Sequence, residues 1–421
     1  MCRPSTKHSG SARGRLAWLG HAALTGWALL TAPGARAQID PTERQLIQIG
    51  ISQPLEGRST IPGYAYYYYN QPSFICSNLT LRLAVAPVYL DSELGIAQAL
   101  GPNTDLGLGL AGGGFADSYY AFKAGNYSPG ESFTGEGANV SLNLYHLFNP
   151  GSLIPLNGVL RGEASQAVYL RNDNTAANFV LPKDQTTFKV RTGLRWGGKE
   201  PLLVPELAME LSAWYEGEFR LDPGAYGFAG DRSMQPAAHL FWGRALLAYT
   251  LPESRHNFLL SFTAGTSADV DRFSAYRLGG VLPLASEFPL TMPGYYYQEF
   301  SANRFALINL TYNFPLDERK RWALTMVATT AYVDYLPGTE QPGSWDSGMG
   351  GGITYRSSSK SWQVFAGYSY AFQALRDGRH GGESIGLLVQ FDLGRTKSDL
   401  YSPGGNNGFL RVLDGFLHSF Q

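Results

Sequence analysis

The chain has 421 residues, of which 13% are aromatic and only 16% are charged, and it contains 50 glycines and 25 tyrosines. Five of the 33 basic residues but none of the 34 acidic ones lie within the first 37 positions, so the rest of the chain has a net charge near −6. This charge argues against nucleic acid as a partner. Beyond the N-terminal segment no run of about 18 apolar residues occurs, which excludes helical membrane spans.

The first 37 residues predict a secretory signal peptide. Basic residues come first, an apolar run occupies positions 16–30, and the small residues Ala35 and Ala37 precede Gln38. The apolar run is shorter than the ~20 residues that a membrane anchor needs, so we expect cleavage after Ala37. Cys76 is then the only cysteine, and an intrachain disulfide is excluded.

Strand-like alternation of apolar and polar residues recurs along the chain about every twenty residues. In residues 186–196, for example, Phe188 and Val190 alternate with Lys189 and Arg191. The same pattern is found in residues 79–90, 138–148, 306–316 and 362–372. Alternation predicts an all-β fold, but it is compatible with a soluble β-sandwich as well as with a membrane barrel.

Two features favour the membrane barrel. Candidate strands at 203–220, 237–251 and 322–336 are longer than the roughly five or six residues usual in soluble sheets. Aromatic residues also cluster where we expect strands to end, as the interfacial girdles of a membrane barrel require. These clusters are 66–69, 119–120 and 295–297, together with Tyr332 and Tyr335.

We therefore predict one domain, residues 38–394, that forms a transmembrane antiparallel β-barrel of about 16 strands. The segments 223–234 and 337–345 are rich in Gly and Pro and are predicted to be external loops. The tail, residues 395–421, has apolar residues at helical spacing, which predicts a short amphipathic helix; a frayed tail is the alternative.

No motif predicts catalysis, and we expect neither enzymatic activity nor a cofactor or metal. Residues 382–386 match Gly-x-Ser-x-Gly, but Ser384 opens a predicted strand instead of the sharp strand-to-helix turn of a nucleophile elbow. Lys189, Arg191 and Arg195 share one face of their strand and are candidate lumen charges that tune ion selectivity. The alternative is that they hydrate the lumen and pair with other charges.

Residues 277–316 predict a strand, a long loop and a second strand. Their sequence resembles the barrel of the outer-membrane assembly-factor superfamily, the bacterial surface antigens of the BamA and TamA type. The likeness covers about residues 270–394. It is carried by Arg277, Gly279 and Gly280 before the loop, by Gly294 and Tyr295 within it, and by Tyr312, Asn313, Phe314, Pro315 and Leu316 after it.

The resemblance implies that a long loop between residues 281 and 297 is directed into the lumen. In the family an arginine at the tip of this loop is thought to hold it against the inner barrel wall. Pro293 stands in place of that arginine, and Thr311 and Asn313 replace charged residues of the next strand. The predicted barrel begins directly after the signal peptide, so we expect none of the family's periplasmic POTRA domains.

The last alternating segment, residues 384–391, resembles the β-signal that outer-membrane barrels carry on their final strand. Its matching residues are Ser384, Gly386, Val389 and Phe391. This implies that the barrel assembly machinery is a partner for the insertion of this chain, by addition of an unpaired strand edge to a template strand. An ordinary amphipathic strand fits the same pattern.

The resemblance implies a location in the outer membrane of a Gram-negative-type bacterium, in contact with its lipids. It also implies a role in inserting or translocating proteins or lipids, with unfolded outer-membrane or secreted proteins as clients. The alternatives are a passive porin-like channel or structural barrel, and a secreted sandwich with adhesive loops. The long loop after Gly280 favours the first reading, because diffusion of solutes does not require it.

Overall fold

The computed structural model describes residues 42–199, 202–283, 286–319 and 321–394, and within them sixteen strands form one antiparallel barrel. In chain order the strands are β1 (Arg44–Pro54), β2 (Gly63–Pro72), β3 (Leu79–Ala86), β4 (Tyr89–Ile96), β5 (Thr104–Gly113), β6 (Thr134–Leu147), β7 (Leu156–Leu170), β8 (Gln185–Gly198), β9 (Leu207–Arg220), β10 (Ala237–Thr250), β11 (Asn257–Ala268), β12 (Phe300–Pro315), β13 (Trp322–Tyr335), β14 (Trp345–Arg356), β15 (Trp362–Arg376) and β16 (Arg379–Asp392). The predicted number of strands is confirmed.

Pairing between β1 and β16 closes the barrel. Leu46 lies opposite Asp392 at one end of this seam, and Pro54 lies opposite Ser384 at the other. Each remaining strand pairs with its neighbours in sequence. Because the sheet closes on itself and leaves no second sheet to pack against, the secreted β-sandwich is wrong.

The outer surface of the barrel is apolar and the inner surface is polar, as the alternation predicted. On β12, Ile308 and Leu310 are exposed on the outside, whereas Asn313 is buried on the inside. On β6 the side chain of Leu142 is 54% exposed, next to the buried Asn143. So many large apolar side chains facing outward define a lipid-facing band, and the barrel is a transmembrane one.

The strands differ in length around the barrel. Strands β3 and β4 have eight residues each, whereas β8, β9 and β10 have fourteen each. At about 3.3 Å per residue and a tilt of about 40°, these lengths correspond to heights of roughly 20 Å and 35 Å. The barrel wall, and with it the apolar band, therefore has its smallest height at β3 and β4.

The two ends of the barrel differ in their connections. Long loops at one end include residues 114–133, 171–184, 221–236 and 269–299, and the turns at the other end are shorter. We call these the long-loop end and the short-turn end. Both predicted external loops lie at the long-loop end, between β9 and β10 and between β13 and β14, although Trp345 already belongs to β14.

Several long loops pack into an apolar cap over the long-loop end. Its buried core contains Tyr119, Ala121, Phe133, Phe179, Tyr226 and Met234. Glu131 lies under this core, where it binds Lys123 and Arg232. Burial alone would raise the pKa of Glu131, but these two cations lower it below its ordinary value.

The predicted signal peptide, residues 1–37, and the predicted C-terminal helix, residues 395–421, lie outside the described residues. In the part of the chain that is described, no helix is long and apolar enough to cross a membrane.

Candidate functional site in the barrel lumen

Residues 279–283 and 286–299, which we call the lumen loop, leave the long-loop end and fold into the barrel, as the resemblance implied. Gly279 and Gly280 have φ values of 133° and 72°, and a Cβ at Gly279 would lie 2.1 Å from the carbonyl oxygen of Tyr296. Only glycine fits this reversal without strain. The amide of Gly279 donates to Leu290, and that of Met292 donates to Gly280, which closes the base of the loop.

Arg277 ties this base to the cap. Its guanidinium donates to the carbonyl oxygens of Tyr120, at 2.9 Å, and Gln298, at 2.7 Å. It also lies 5.2 Å from the ring centre of Tyr119. The lumen loop and the external loop 114–133 are thus held together through one side chain.

Gly294 brings the loop backbone directly onto the barrel wall. Its φ is 82°, and a Cβ there would lie 2.2 Å from the amide nitrogen of Ala371 on β15. Pro293, next to it, has its carbonyl oxygen close against Gly348 on β14, where a Cβ would lie 2.2 Å away. Pro293 therefore contacts the wall through its backbone, at a place where two glycines permit the approach.

A buried ion pair beside this contact holds the loop. The guanidinium of Arg376 on β15 donates to both carboxylate oxygens of Glu299, at 3.0 and 2.9 Å. The two side chains are 4% and 0% exposed. The arginine of this pair is on the wall, and the carboxylate is at the end of the lumen loop.

Further contacts satisfy the buried groups around this pair. The carboxylate of Glu299 also accepts from the amide of Tyr296, at 2.8 Å, and from Gln341, at 3.1 Å. The guanidinium of Arg376 lies 3.6 Å from the ring centre of Tyr296. A buried charge pair is stable only with such additional partners, so these contacts make the pair a firm anchor, which we call the inner anchor.

The tyrosines at 295–297 correct one expectation. We predicted them to lie in an interfacial girdle, but Tyr295 and Tyr296 are fully buried inside the barrel. The hydroxyl of Tyr295 donates to Asp346, at 3.2 Å, and that of Tyr296 donates to the carbonyl oxygen of Glu56, at 2.9 Å. A buried tyrosine needs a hydrogen-bond partner, and strand β14 supplies one for Tyr295 while the loop after β1 supplies one for Tyr296.

The loop binds a second part of the inner wall, on β8, β9 and β10, through Glu287 and Phe288. The Glu287 carboxylate contacts Arg195 on β8, and the Glu287 carbonyl oxygen accepts from Arg244 on β10, at 3.0 Å. The Phe288 ring lies 5.3 Å from Trp214 on β9, in an edge arrangement. We call this contact the tip anchor. With anchors on β14–β15 and on β8–β10, the loop crosses the lumen.

The predicted lumen charges lie inside the barrel, and each has an acidic partner. Lys189 and Arg191 pair across β8 and β9 with the residues opposite them, Glu218 at 3.0 Å and Glu216 at 2.5 Å. Arg195 binds the lumen loop instead. Lys189 and Arg191 therefore pair with acidic residues of the neighbouring strand, and a role in ion selectivity stays a prediction.

A cavity of about 1390 Å³ runs beside the lumen loop. Its wall on β3 and β4 carries Arg82, which binds Asp91 and Glu93 at 3.2 Å each. Glu93 also accepts from the hydroxyl of Tyr145, at 2.7 Å. We did not predict this group, although the polar positions between the apolar residues of 79–90 could have indicated it.

The turn between β8 and β9 crosses the short-turn end. The amide of Leu203 donates to the side chain of Gln390 on β16, at 3.0 Å, and the carbonyl oxygen of Pro205 accepts from Asn257 on β11, at 3.0 Å. Glu206 binds Lys360 in the turn between β14 and β15, at 3.1 Å. Residues 202–206 thus span the mouth of the barrel.

The predicted β-signal residues all lie on β16, the strand that closes the barrel. Ser384 is buried, and its hydroxyl lies 2.8 Å from that of Ser369. Gly386 and Val389 pair with both β1 and β15, and Phe391 packs against Trp362. Recognition by assembly machinery stays a prediction.

Within the described ranges, no three His, Cys, Asp or Glu side chains form a group that could hold a metal ion.

No protein-family model and no curated protein matches the chain. Solved structures do. CdiB from Acinetobacter baumannii superimposes with a TM-score of 0.51 at 12% identity, over 83% of this chain and 60% of that one. CdiB from Escherichia coli also gives 0.51, at 13% identity, over 86% and 68%. This chain therefore spans about 60% of the length of the A. baumannii protein.

The fold defines the class: a closed, 16-stranded transmembrane β-barrel with a loop folded into its lumen. Among the solved structures that share this fold are the two CdiB barrels. At these identities the likeness shows the fold, and function has to be argued from the lumen.

Proposed function

We propose that this protein assists the insertion or translocation of proteins or lipids at the outer membrane. The observation that carries the proposal is the lumen loop, which is anchored to two separate parts of the barrel wall by Glu299 at one end and by Glu287 near its tip. A loop held in this way obstructs free diffusion and suits a barrel that opens only when it works on a client.

The uneven barrel wall supports the same proposal. Strands β3 and β4 have eight residues each and lie close to the β1–β16 seam, so lipid beside them meets a low apolar band. A bilayer thins around a short apolar wall, at a cost in free energy. A thinned bilayer lowers the barrier to insertion of another chain.

In this proposal the chain is exported by its N-terminal signal peptide and is inserted by the barrel assembly machinery, which recognises β16. Its clients are unfolded outer-membrane or secreted proteins, and outer-membrane lipids surround it. We propose no enzymatic activity.

Reconstitution tests this function. Purified protein in liposomes is mixed with a urea-unfolded outer-membrane barrel, and folding of the client is followed by its heat-modifiable migration in gels. We expect the client to fold several-fold faster than in liposomes that contain an unrelated porin. Equal rates, together with unchanged levels of other barrel proteins in a depletion strain, contradict the proposal.

A passive channel is the second candidate, and the cavity of about 1390 Å³ beside the loop favours it. Liposome swelling in small sugars separates the two functions. Rapid swelling, as with an open porin, supports the channel, whereas slow swelling supports a lumen that is obstructed at rest.

A further inference from the structure

We propose that Arg195, Arg244, Trp214 and Trp242 form a binding site for a peptide segment in which an acidic residue is followed by an aromatic one. At rest the site is occupied by the chain's own Glu287-Phe288. This inference rests on the proposed function for the source of the peptide, which would be a client chain.

The charged half of the site recognises a carboxylate. Arg195 contacts the Glu287 carboxylate directly, and a terminal nitrogen of Arg191 lies 3.8 Å from it. Arg244 donates to the backbone carbonyl oxygen of the same residue, at 3.0 Å. Guanidinium groups bind carboxylates strongly and with defined geometry. The site therefore binds both the side chain and the backbone carbonyl of an acidic residue.

The aromatic half recognises the next side chain. The Phe288 ring is in edge contact with Trp214, at 5.3 Å, and with Trp242, at 5.7 Å. The guanidinium of Arg244 lies 4.5 Å from the ring centre, and that of Arg195 lies 5.6 Å from it. Edge contacts and cation–π contacts favour an aromatic ring over an aliphatic side chain.

The ion pair that holds Glu287 in this site is weaker than the ion pair of the inner anchor. The side chain of Glu287 is 51% exposed, whereas that of Glu299 is 0% exposed. The Arg195 side chain is 14% exposed, so the pair at the tip is partly exposed and contributes less stability than a fully buried pair, which is costly to break. The tip anchor can therefore exchange with a ligand while the inner anchor keeps the loop in the barrel.

The arginines differ in the acidic partners that remain to them when Glu287 leaves the site. Arg244 keeps Glu210 as a partner, at 2.6 Å, and Arg191 keeps Glu216, at 2.5 Å. For Arg195, Glu210 lies 3.9 Å away, and its Nε has no hydrogen-bond partner. Removal of Glu287 thus leaves Arg195 as the group with most to gain from a ligand.

The site is reachable from the lumen. Arg195, Arg244, Glu287 and Phe288 all line the cavity of about 1390 Å³. A phosphate-bearing lipid headgroup would satisfy the arginines, but it has no ring to pack against the two tryptophans, which stack on each other. The combined chemistry therefore favours a peptide.

The test measures peptide binding to purified, detergent-solubilised full chain. A fluorescent peptide containing Ser-Glu-Phe-Pro is titrated against wild-type protein and against a double variant, Glu287→Gln with Phe288→Ala, which empties the site. By fluorescence anisotropy we expect the double variant to bind about tenfold more tightly, because the internal competitor is lost. Adding Arg195→Gln to the double variant should abolish this gain.

Matched controls make the result decisive. Arg161→Gln removes another arginine that lines the cavity, outside the tip anchor, and should leave binding unchanged. A peptide with Gln-Ala in place of Glu-Phe should not bind. Equal binding of both peptides, a gain that survives Arg195→Gln, or competition by anionic lipid alone overturns the proposal.

Heat-modifiable migration confirms that each variant is folded. Failure of peptide binding does not contradict the assembly function, which the client-folding rate in liposomes measures separately.

Discussion

The guanidinium of Arg376 holds both carboxylate oxygens of Glu299 inside the barrel, at 3.0 and 2.9 Å, and this pair joins strand β15 to the end of the lumen loop. Almost no water reaches it, since the side chains are 4% and 0% exposed. The wall carries the positive charge and the loop carries the negative one, so this pair fixes the end of the loop on strand β15.

Removing one partner of this pair should destabilise the barrel strongly. For Arg376→Met we expect a loss of about 3–5 kcal/mol in the free energy of unfolding, because a buried carboxylate is left without its cation. Urea titration followed by gel migration measures it. Arg379→Gln, an exposed arginine on β16, is the matched control and should change little.

The double variant Arg376→Met with Glu299→Met extends this test. Because two apolar side chains leave no unpaired charge, we expect it to be more stable than Arg376→Met alone. A double variant that is less stable than both single variants would show that the pair does not act as a unit.

Gly294→Ala should displace the loop from the wall. Its Cβ would lie 2.2 Å from the backbone of Ala371, at a φ of 82°. Gly343 offers a control that separates contact from backbone strain, because its φ is 85° and a Cβ there would meet no atom within 4 Å. In planar bilayers we expect Gly294→Ala to raise the conductance several-fold and Gly343→Ala to leave it unchanged. Equal conductance of the two variants would refute this placement of the loop.

The external cap should loosen in acid. Lys123 and Arg232 lower the pKa of Glu131 below the ordinary 4.5. A lowered pKa contributes stability that is complete above the unfolded value and is lost as the pH falls through the folded value. After correction for the intrinsic pH dependence of amide exchange, the protection factors in residues 114–133 should therefore be constant from pH 7 to about pH 5 and decrease below about pH 4.5. Glu131→Gln should remove this contribution, and an unchanged pH profile in that variant would contradict it.

Cys76 reports the orientation of the barrel. It is exposed, at the short-turn end. If that end faces the periplasm, a membrane-impermeant maleimide should label Cys76 only after the cells are permeabilised. Ser344→Cys in a Cys76→Ser background places the thiol in a loop at the long-loop end, and this thiol should react with the maleimide in intact cells. Labelling of Cys76 in intact cells would reverse the proposed orientation.

The sequence predicted the architecture well because alternation is a local property. The exposed Ile308 and Leu310 and the buried Asn313 could be read from spacing alone. The lumen-directed loop followed from the resemblance, and Gly279 and Gly280 are where the backbone requires glycine.

The contacts across the lumen could not be predicted in this way. Arg195 and Glu287 are 92 residues apart, and no local pattern indicates that they meet. Tyr295 and Tyr296 belong to a tyrosine cluster that is typical of a membrane girdle. They are buried because the loop folds into the barrel, which the cluster itself does not indicate. The closure of the short-turn end by Leu203 likewise depends on strands that are distant in sequence.

The proposed function depends on the position of the lumen loop inside the barrel, and cross-linking tests this position most directly. Glu287→Cys and Arg195→Cys are introduced together in a Cys76→Ser background, and native outer membranes are treated with a short bismaleimide. Lys189→Cys with Glu218→Cys, which face each other on β8 and β9, is the positive control. We expect an internal cross-link in both pairs; a cross-link in the control pair alone would place the loop outside the lumen and contradict the proposed position.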